Sequence, residues 1–300
     1  MDKLTVKNNT QNCEILFDQY KIILGSRFEA KYEFKKNIQA YFQKSKTEYQ
    51  DENSSKPSVN FNDRILDQRL WDFIEINKYF DLDNDIKLGT RSLFAKYLES
   101  QFEEIEFSDE LNTINNLLYS LNEEIISPKS RIDKGEISAF TTIQSLNSKN
   151  LMRLLDVFIS KDECEANRFD LDCMELYGLQ MEIVKRIVTS SPEKLFLIIL
   201  EIPVLKQEML NLFPISEAKN AKVLIFPEAL QLDDPKKEDF FLFEKDTFDL
   251  SNEEEIYALL MNCQKNFTIS ELQDKLLHGL NSIYSIENMD LLNSCVQAKY

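Results

Sequence analysis

Three segments of the sequence lack the apolar and polar alternation that a half-exposed strand shows. Residues 195–200 are six consecutive apolar side chains, and residues 20–24 and 222–226 are mainly apolar segments that end at Gly25 and Pro227. Uninterrupted apolar strands are typical of parallel sheets covered on both faces, where no position meets water. The pattern predicts three buried strands of an α/β domain, with residues 195–200 in the middle of the sheet.

Elsewhere, apolar residues recur at the three- and four-residue spacing of helices. This spacing predicts helices over residues 28–44, 63–79, 90–102, 108–126, 145–160, 176–189 and 206–212. Residues 4–7 and 14–17 are predicted as a hairpin at the sheet edge, residues 45–62 as a polar loop, and residues 240–243 as a short strand or turn. Residues 195–226 then form a strand, helix, strand crossover, which we expect to be parallel.

The order of these elements predicts a discontinuous head interrupted by a helical insertion. Residues 1–60 and 162–250 form the α/β head, and residues 61–161 form an inserted helical leg. Residues 251–300 form a C-terminal helical extension, which begins with three consecutive glutamates after Ser251 and Asn252.

Composition and charge narrow the function classes. The chain has 300 residues, of which 43% are hydrophobic and 29% charged, as in an ordinary globular protein. Its net charge of −17 opposes general attraction to nucleic acid or to anionic membranes, so any basic surface must be local. The five cysteines form no C-x-x-C pair, which favours free thiols. No apolar run approaches the ~20 residues that span a bilayer, and we expect a cytoplasmic protein without membrane contact.

The segment after the first buried strand matches a phosphate-binding loop in part. That motif, G-x-x-x-x-G-K-[ST], presents backbone N–H groups to phosphates at a helix N-terminus. Gly25 and Lys31 keep the first glycine and the lysine, but Ala30 replaces the second glycine and Tyr32 replaces the Mg²⁺-binding hydroxyl. Glu29 would also repel phosphate. A plain strand-to-helix connection is therefore favoured over nucleotide binding.

Other candidates for chemistry are weak. Glu201 follows the central apolar run, where it is either a strand terminator or the remnant of a metal-binding carboxylate. His278, the single histidine, has no acidic or nucleophilic partner nearby in sequence and is interpreted as a surface residue. Residues 81–85 resemble the start of an EF-hand loop, but Ile86 and Ser92 stand where that loop needs Gly and Glu. No catalytic triad or zinc motif is present, and we predict that the protein is not an enzyme.

Two stretches carry clustered cations. Lys129, Arg131 and Lys134 fall within six positions of one loop, and Lys149 and Arg153 lie on the polar side of the helix predicted over 145–160. Such a cluster is either a solvated turn or a contact for phosphate groups.

The ordered series of elements resembles a known family. Residues 14–25 (EILFDQYKIILG), a helical insertion, residues 194–201 (KLFLIILE), residues 221–228 (AKVLIFPE) and residues 241–246 (FLFEKD) resemble the type II-A CRISPR-associated accessory protein of spacer acquisition, the Csn-two family. The C-terminal extension resembles that of its longer members.

The resemblance implies a degenerate P-loop ATPase-like head with a long helical leg. It further implies a ring-shaped homotetramer that threads double-stranded DNA and binds its ends, without nucleotide hydrolysis. In antiviral defence such a ring assists the CRISPR integrase and effector proteins during adaptation. The DNA contacts would be basic side chains, for which Lys129, Arg131, Lys134, Lys149 and Arg153 are the candidates.

A cofactor and two other functions stay open. Calcium-binding members of the family carry an acidic run after the leg helices, and here the corresponding stretch keeps Glu123 and Glu124 as candidate calcium ligands. One alternative function is a remnant P-loop ATPase that uses Lys31 and Glu201. The other is a helical scaffold that contacts only proteins through its C-terminal extension.

Overall fold

The structure is a computed structural model that divides into two compact units. Unit 1 comprises Met1–Lys78 and Pro192–Tyr300, and unit 2 comprises Tyr79–Ser191. The structure describes residues 1–8, 12–42, 56–89, 91–102, 105–126, 129, 131–134, 137–139, 141–212, 219–233, 236–243, 247–262, 268 and 271.

Unit 1 contains a mixed six-stranded sheet built around the predicted central strand. Its strands, in spatial order, are β14 (Thr247–Asp249), β13 (Phe240–Phe243), β3 (Tyr20–Leu24), β12 (Ala221–Gln231), β11 (Leu195–Lys206) and β6 (Trp71–Ile76). The five strands from β13 to β6 are parallel, and β14 pairs antiparallel with β13. Phe196 to Leu200 are all buried, so β11 is covered on both faces as its apolar run predicts.

A second sheet and one helix cover one face of the six-stranded sheet. The second sheet has the order β2 (Asn12–Phe17), β1 (Asp2–Lys7), β4 (Ser58–Phe61) and β5 (Arg64–Ile65). The helix is α1 (Phe28–Phe42), whose buried residues Phe34 and Ile38 share a core with Leu197 and Phe243. The described part of unit 1 also contains two short helices, α7 (Gln207–Leu212) and α8 (Glu253–Asn262), and a 3-10 turn at Lys237–Asp239.

Unit 2 mixes helices with two small hairpins. Its described residues form the helices α2 (Leu82–Asp85), α3 (Leu93–Phe102), α4 (Ile105–Leu121), α5 (Ser148–Met152) and α6 (Cys173–Ser190), with a π-helical turn at Asn122–Ile126 and a 3-10 turn at Arg168–Asp170. The hairpins pair β7 (Ile132–Lys134) with β8 (Ile137–Ala139) and β9 (Ile159–Lys161) with β10 (Cys164–Ala166). Helix α6 buries an apolar stripe that includes Tyr177, Val184 and Val188, and it packs against α3.

Several predicted elements differ from the structure. The helix predicted over 63–79 is wrong, because Trp71–Ile76 is a strand that pairs with β11 from Leu195↔Trp71 to Leu200↔Ile76. The predicted edge hairpin belongs to the second sheet, and the predicted polar loop contains β4. The helix predicted over 145–160 is short, since only Ser148–Met152 is helical and β9 begins at Ile159.

The unit boundaries also differ from the predicted domains. The inserted leg was predicted at residues 61–161, whereas the compact inserted unit is Tyr79–Ser191 and includes α6. Strand β6 belongs to unit 1 and not to the inserted unit, because its backbone pairs with the central strand β11. Within the described part of the chain, no helix is long and apolar enough to cross a membrane.

Candidate nucleic-acid interface

The turn between β3 and α1 is closed by the end of β13. Gly25 has φ +114°, a conformation that residues with a Cβ rarely adopt. A Cβ built at Gly25 would lie 2.1 Å from the carbonyl oxygen of Phe243. The Arg27 N–H donates to the same carbonyl oxygen at 3.1 Å. One N–H that a phosphate-binding loop would offer to its ligand is therefore already bonded within the protein.

Lys31 lies in the first turn of α1, where a phosphate loop carries its lysine. Its ammonium group lies 4.7 Å from the ring centroid of Phe28, and the Phe28 side chain is 76% exposed. At that separation the ring face and the ammonium group attract each other. The structure places Gly25 and Lys31 on the predicted strand, turn and helix, but with these contacts in place of a cradle of free N–H groups.

Glu201 is engaged by a residue that the sequence analysis did not single out. Lys35 of α1 donates a hydrogen bond to Glu201 Oε1, and its ammonium lies 3.9 Å from Glu75 Oε1. Gln39, one turn further along α1, donates to Glu75 Oε2 at 2.7 Å. Glu201 does not terminate its strand, since β11 continues to Lys206. Its carboxylate joins α1 to the sheet through an ion pair that is largely shielded from water.

The first group of predicted DNA-binding cations surrounds the hairpin β7–β8. Lys129, Arg131 and Lys134 are all exposed. Arg131 Nε lies 3.1 Å from the carboxylate of Asp133, and Ser138 donates a hydrogen bond to the same carboxylate. These two hydrogen bonds hold the pKa of Asp133 below its ordinary value. The structure thus brings Arg131 and Lys134 together on one short hairpin, directly after Lys129.

The second group lies on a separate element. Lys149 is in α5, and Arg153 is the exposed C-cap residue of that helix. Asn147 caps the helix N-terminus by accepting the Asn150 N–H at 2.8 Å. The preceding loop is tied to α4 through Asn115, which exchanges two hydrogen bonds with the backbone of Leu146. All five cations therefore belong to unit 2.

The candidate calcium ligands stand in the π-helical turn after α4. Glu123 and Glu124 are both exposed there. Among the described residues, no group of three or more His, Cys, Asp and Glu side chains could hold a metal ion. Two adjacent carboxylates supply fewer oxygen ligands than the six to eight that Ca²⁺ takes. Glu123 and Glu124 would need further ligands to form a site.

The stretch that resembles an EF-hand is built as helix caps. Asp81 caps α2 by accepting the Asn84 N–H at 3.3 Å. Asp85 accepts the N–H groups of Leu93 at 2.8 Å and Phe94 at 3.0 Å at the start of α3. The Asp85 carboxylate is thus bonded to backbone N–H groups, and residues 82–85 form helix α2, which follows strand β6. His278 lies outside the described residues.

These features define a mixed α/β protein with five parallel strands, a closed strand-to-helix turn and an inserted unit with exposed cations. The crystal structure of Stu0660 of Streptococcus thermophilus is similar to it, with a TM-score of 0.69 and 16% sequence identity. The match covers 99% of this chain and 94% of that chain, so the two proteins share a fold over their whole lengths. No protein-family model and no curated protein matches the sequence.

Proposed function

We propose that this chain is a non-enzymatic, ring-forming, duplex-DNA-binding protein of the type II-A CRISPR accessory family. In this proposal the head is a degenerate P-loop ATPase-like core kept for its shape, and a homotetramer binds DNA ends during spacer acquisition. The sequence resemblance to that family is supported by a fold shared from end to end with a Streptococcus protein.

The observation that carries the proposal is the contrast between the two places where phosphate could bind. The turn at Gly25 is occupied by the Phe243 carbonyl, and the nearby carboxylate of Glu201 is held by Lys35. In unit 2, by contrast, Lys129, Arg131, Lys134 and Arg153 are exposed although the whole chain carries a net charge of −17. The arrangement favours contact with a phosphate backbone over hydrolysis of a nucleotide.

The ion pair at Arg131 is compatible with this role. Its two side chains are 62% and 53% exposed, and exposed pairs contribute only about 0–1 kcal/mol. A DNA phosphate can therefore replace Asp133 as the partner of Arg131 at little cost. Contacts of this type carry no base information, so the binding should not depend on DNA sequence.

The test replaces the hairpin cations together. We expect the Lys129→Gln/Arg131→Gln/Lys134→Gln variant to bind a linear duplex more weakly in low salt, because it has lost phosphate contacts. Each lost contact should also reduce the slope of log K against log[salt] by about 0.9. Fluorescence anisotropy with a labelled duplex at several salt concentrations measures both quantities.

A matched control removes the same charge elsewhere. The Lys7→Gln/Lys36→Gln/Arg69→Gln variant replaces three exposed cations of unit 1. We expect this variant to keep the wild-type salt slope. Equal losses in the two variants would show that only net charge matters, and wild-type protein that fails to bind duplex in low salt would refute the proposal.

A further inference from the structure

A short part of unit 2, residues 156–175, exposes several large apolar side chains. Phe158 is 73% exposed, Phe169 is 90% exposed and Met174 is 46% exposed. We call residues 156–175 the acidic corner, for the charges described below. Ile159 pairs with Ala166 at the open end of the hairpin β9–β10. Phe158 and Asn167 therefore flank that end of the hairpin. Phe169 lies two positions after Asn167 in the sequence.

The exposed Phe169 lies in a well-bonded stretch of backbone. Asn167 accepts the Phe169 N–H at 2.8 Å, and the Asn167 N–H donates to Asp170 Oδ2 at 2.8 Å. A second capping box follows, in which the side chains and backbone N–H groups of Asp172 and Glu175 exchange two hydrogen bonds of 2.8 Å each. The backbone on both sides of Phe169 is thereby held in place.

Lys161 fastens the hairpin to these caps. Its ammonium group donates to the carbonyl oxygen of Asp170 at 2.9 Å and to Glu175 Oε2 at 2.8 Å. The hairpin, the 3-10 turn and the start of α6 therefore form one bonded corner. Because the backbone of this corner is already ordered, a partner that covers its apolar side chains does not have to order the backbone as well, which lowers the entropy cost of binding.

The charge of the acidic corner restricts what can cover it. Residues 156–175 contain seven carboxylates and two cations, a net charge of −5. Both cations are already paired, Lys161 with Glu175 at 2.8 Å and Arg168 with Asp81 at 4.0 Å. Nucleic acid and anionic membrane surfaces would be repelled. A polypeptide that combines apolar side chains with Lys or Arg is complementary in both respects.

We infer that the acidic corner is a docking site for a basic amphipathic segment of another protein. Phe158, Phe169 and Met174 provide the apolar contact, and the surrounding carboxylates attract the cations of the partner and select against acidic segments. This site is independent of the proposed DNA interface, because it uses other residues and a charge of the opposite sign.

The experiment uses two synthetic probes with the full-length protein. The first is an 18-residue amphipathic peptide of leucine and lysine, and the second has glutamate in place of every lysine. We expect the protein to bind the lysine peptide and not the glutamate peptide. The affinity for the lysine peptide, measured by fluorescence anisotropy, should fall at least tenfold for the Phe158→Ser/Phe169→Ser variant. Hydrogen exchange should show protection of residues 159–170 by the bound lysine peptide.

Two further variants, and two further measurements on the Phe158→Ser/Phe169→Ser variant, distinguish the possible outcomes. The Phe28→Ser/Tyr257→Ser variant removes two exposed aromatic side chains of unit 1 and should keep wild-type peptide affinity. The Asp156→Lys/Glu165→Lys variant should bind the lysine peptide more weakly. The Phe158→Ser/Phe169→Ser variant should keep the wild-type melting temperature and duplex affinity, so that failure of this site is distinguishable from failure of DNA binding.

Other results would overturn the inference. Absence of lysine-peptide binding, or undiminished binding by the Phe158→Ser/Phe169→Ser variant, would contradict it directly. A change in the oligomeric mass of that variant would assign the surface to a second copy of this chain. A loss of duplex affinity would assign the surface to the DNA interface.

Discussion

Lys21 is the clearest case of a side chain whose role depends on residues far away in sequence. It is fully buried in β3, and its ammonium donates to the carbonyl oxygens of Leu16 at 2.7 Å and Glu238 at 2.8 Å and to Asp249 Oδ1 at 2.5 Å. Burial lowers the pKa of Lys21, while the charge of Asp249 opposes that shift. The bonds satisfy the ammonium group and join β3 to the segment that leads into α8.

Replacing Lys21 should therefore destabilise unit 1 strongly. The Lys21→Met variant leaves the buried Asp249 carboxylate without its counter-ion, and removal of one partner of a buried pair costs about 3–5 kcal/mol. The free energy of unfolding in urea measures the loss. The Lys36→Met variant changes an exposed lysine and should stay within about 0.5 kcal/mol of wild type. Equal effects of the two substitutions would contradict the buried pair.

Gly25 should be required for its backbone conformation and not for phosphate binding. In the Gly25→Ala variant, the new Cβ meets the Phe243 carbonyl oxygen and the residue keeps φ +114°. A strained backbone of this kind costs about 1–3 kcal/mol, and the clash adds to it. The measurement is the urea unfolding of the variant with and without ATP, and ATP should change neither protein.

Gly178 provides the matched control for that substitution. It lies inside α6, and a Cβ built there has no neighbour within 4 Å. The Gly178→Ala variant should be more stable than wild type by about 0.5–1 kcal/mol, because alanine loses less backbone entropy in a helix. A Gly25→Ala variant as stable as wild type would contradict the closed turn.

The residues that close the phosphate-type turn could not have been identified from the sequence. The sequence shows that Ala30 and Tyr32 depart from the motif, but Phe243 is more than two hundred positions away and acts through its backbone carbonyl. The role of Lys35 could not have been identified from the sequence either. Its partners, Glu75 and Glu201, lie on two strands, and one of these strands was predicted as a helix.

Among the helices and strands, the prediction from the sequence was correct where the apolar pattern allowed only one interpretation. The continuous apolar run of β11 has one physical interpretation, and Tyr20–Leu24 is a strand with the predicted bounds. Residues 240–243, predicted as a strand or a turn, are a strand. Trp71–Ile76 carries apolar residues at spacings that suit either a helix or a strand, and its pairing with β11 decides the outcome. The hairpins β7–β8 and β9–β10 have three-residue strands, which are too short to show a period.

The start of α6 supports a prediction about pH. Hydrogen bonds from Lys161 and the Asp172 backbone lower the pKa of Glu175 below its ordinary 4.5. A carboxylate whose folded-state pKa is depressed stabilises the fold above its unfolded pKa, and the effect is lost as pH falls through the folded value. The Glu175→Gln variant should therefore melt below wild type at pH 7, and the gap should close below pH 4.5.

The comparison of Glu175→Gln with wild type isolates the effect of the Glu175 charge, because glutamine can still accept the capping hydrogen bond from the Asp172 N–H. Thermal unfolding followed by circular dichroism between pH 3 and 7 measures the gap. The Glu165→Gln variant changes an exposed carboxylate of the adjacent hairpin and serves as the control. A gap between Glu175→Gln and wild type that is constant with pH would contradict the ion pair with Lys161.

At the scale of the whole molecule, the sequence predicted an α/β head with an inserted unit, and the structure locates their limits. The insertion runs from Tyr79 to Ser191, because β6 on one side and β11 on the other belong to the same sheet. The proposed ring would depend on contacts between copies of the chain, which the apolar pattern of one chain does not encode.

In the proposed function the assembled protein threads duplex DNA from an end, and the topology of the DNA tests this threading. The measurement compares binding of the full-length protein to a linear duplex and to a covalently closed circle of the same sequence, at equal salt. A closed ring can thread the linear molecule and cannot pass onto the circle. We predict retention of the linear duplex, no retention of the circle, and recovery of binding once the circle is cut at one site. Equal affinity for the linear and closed forms would contradict the account.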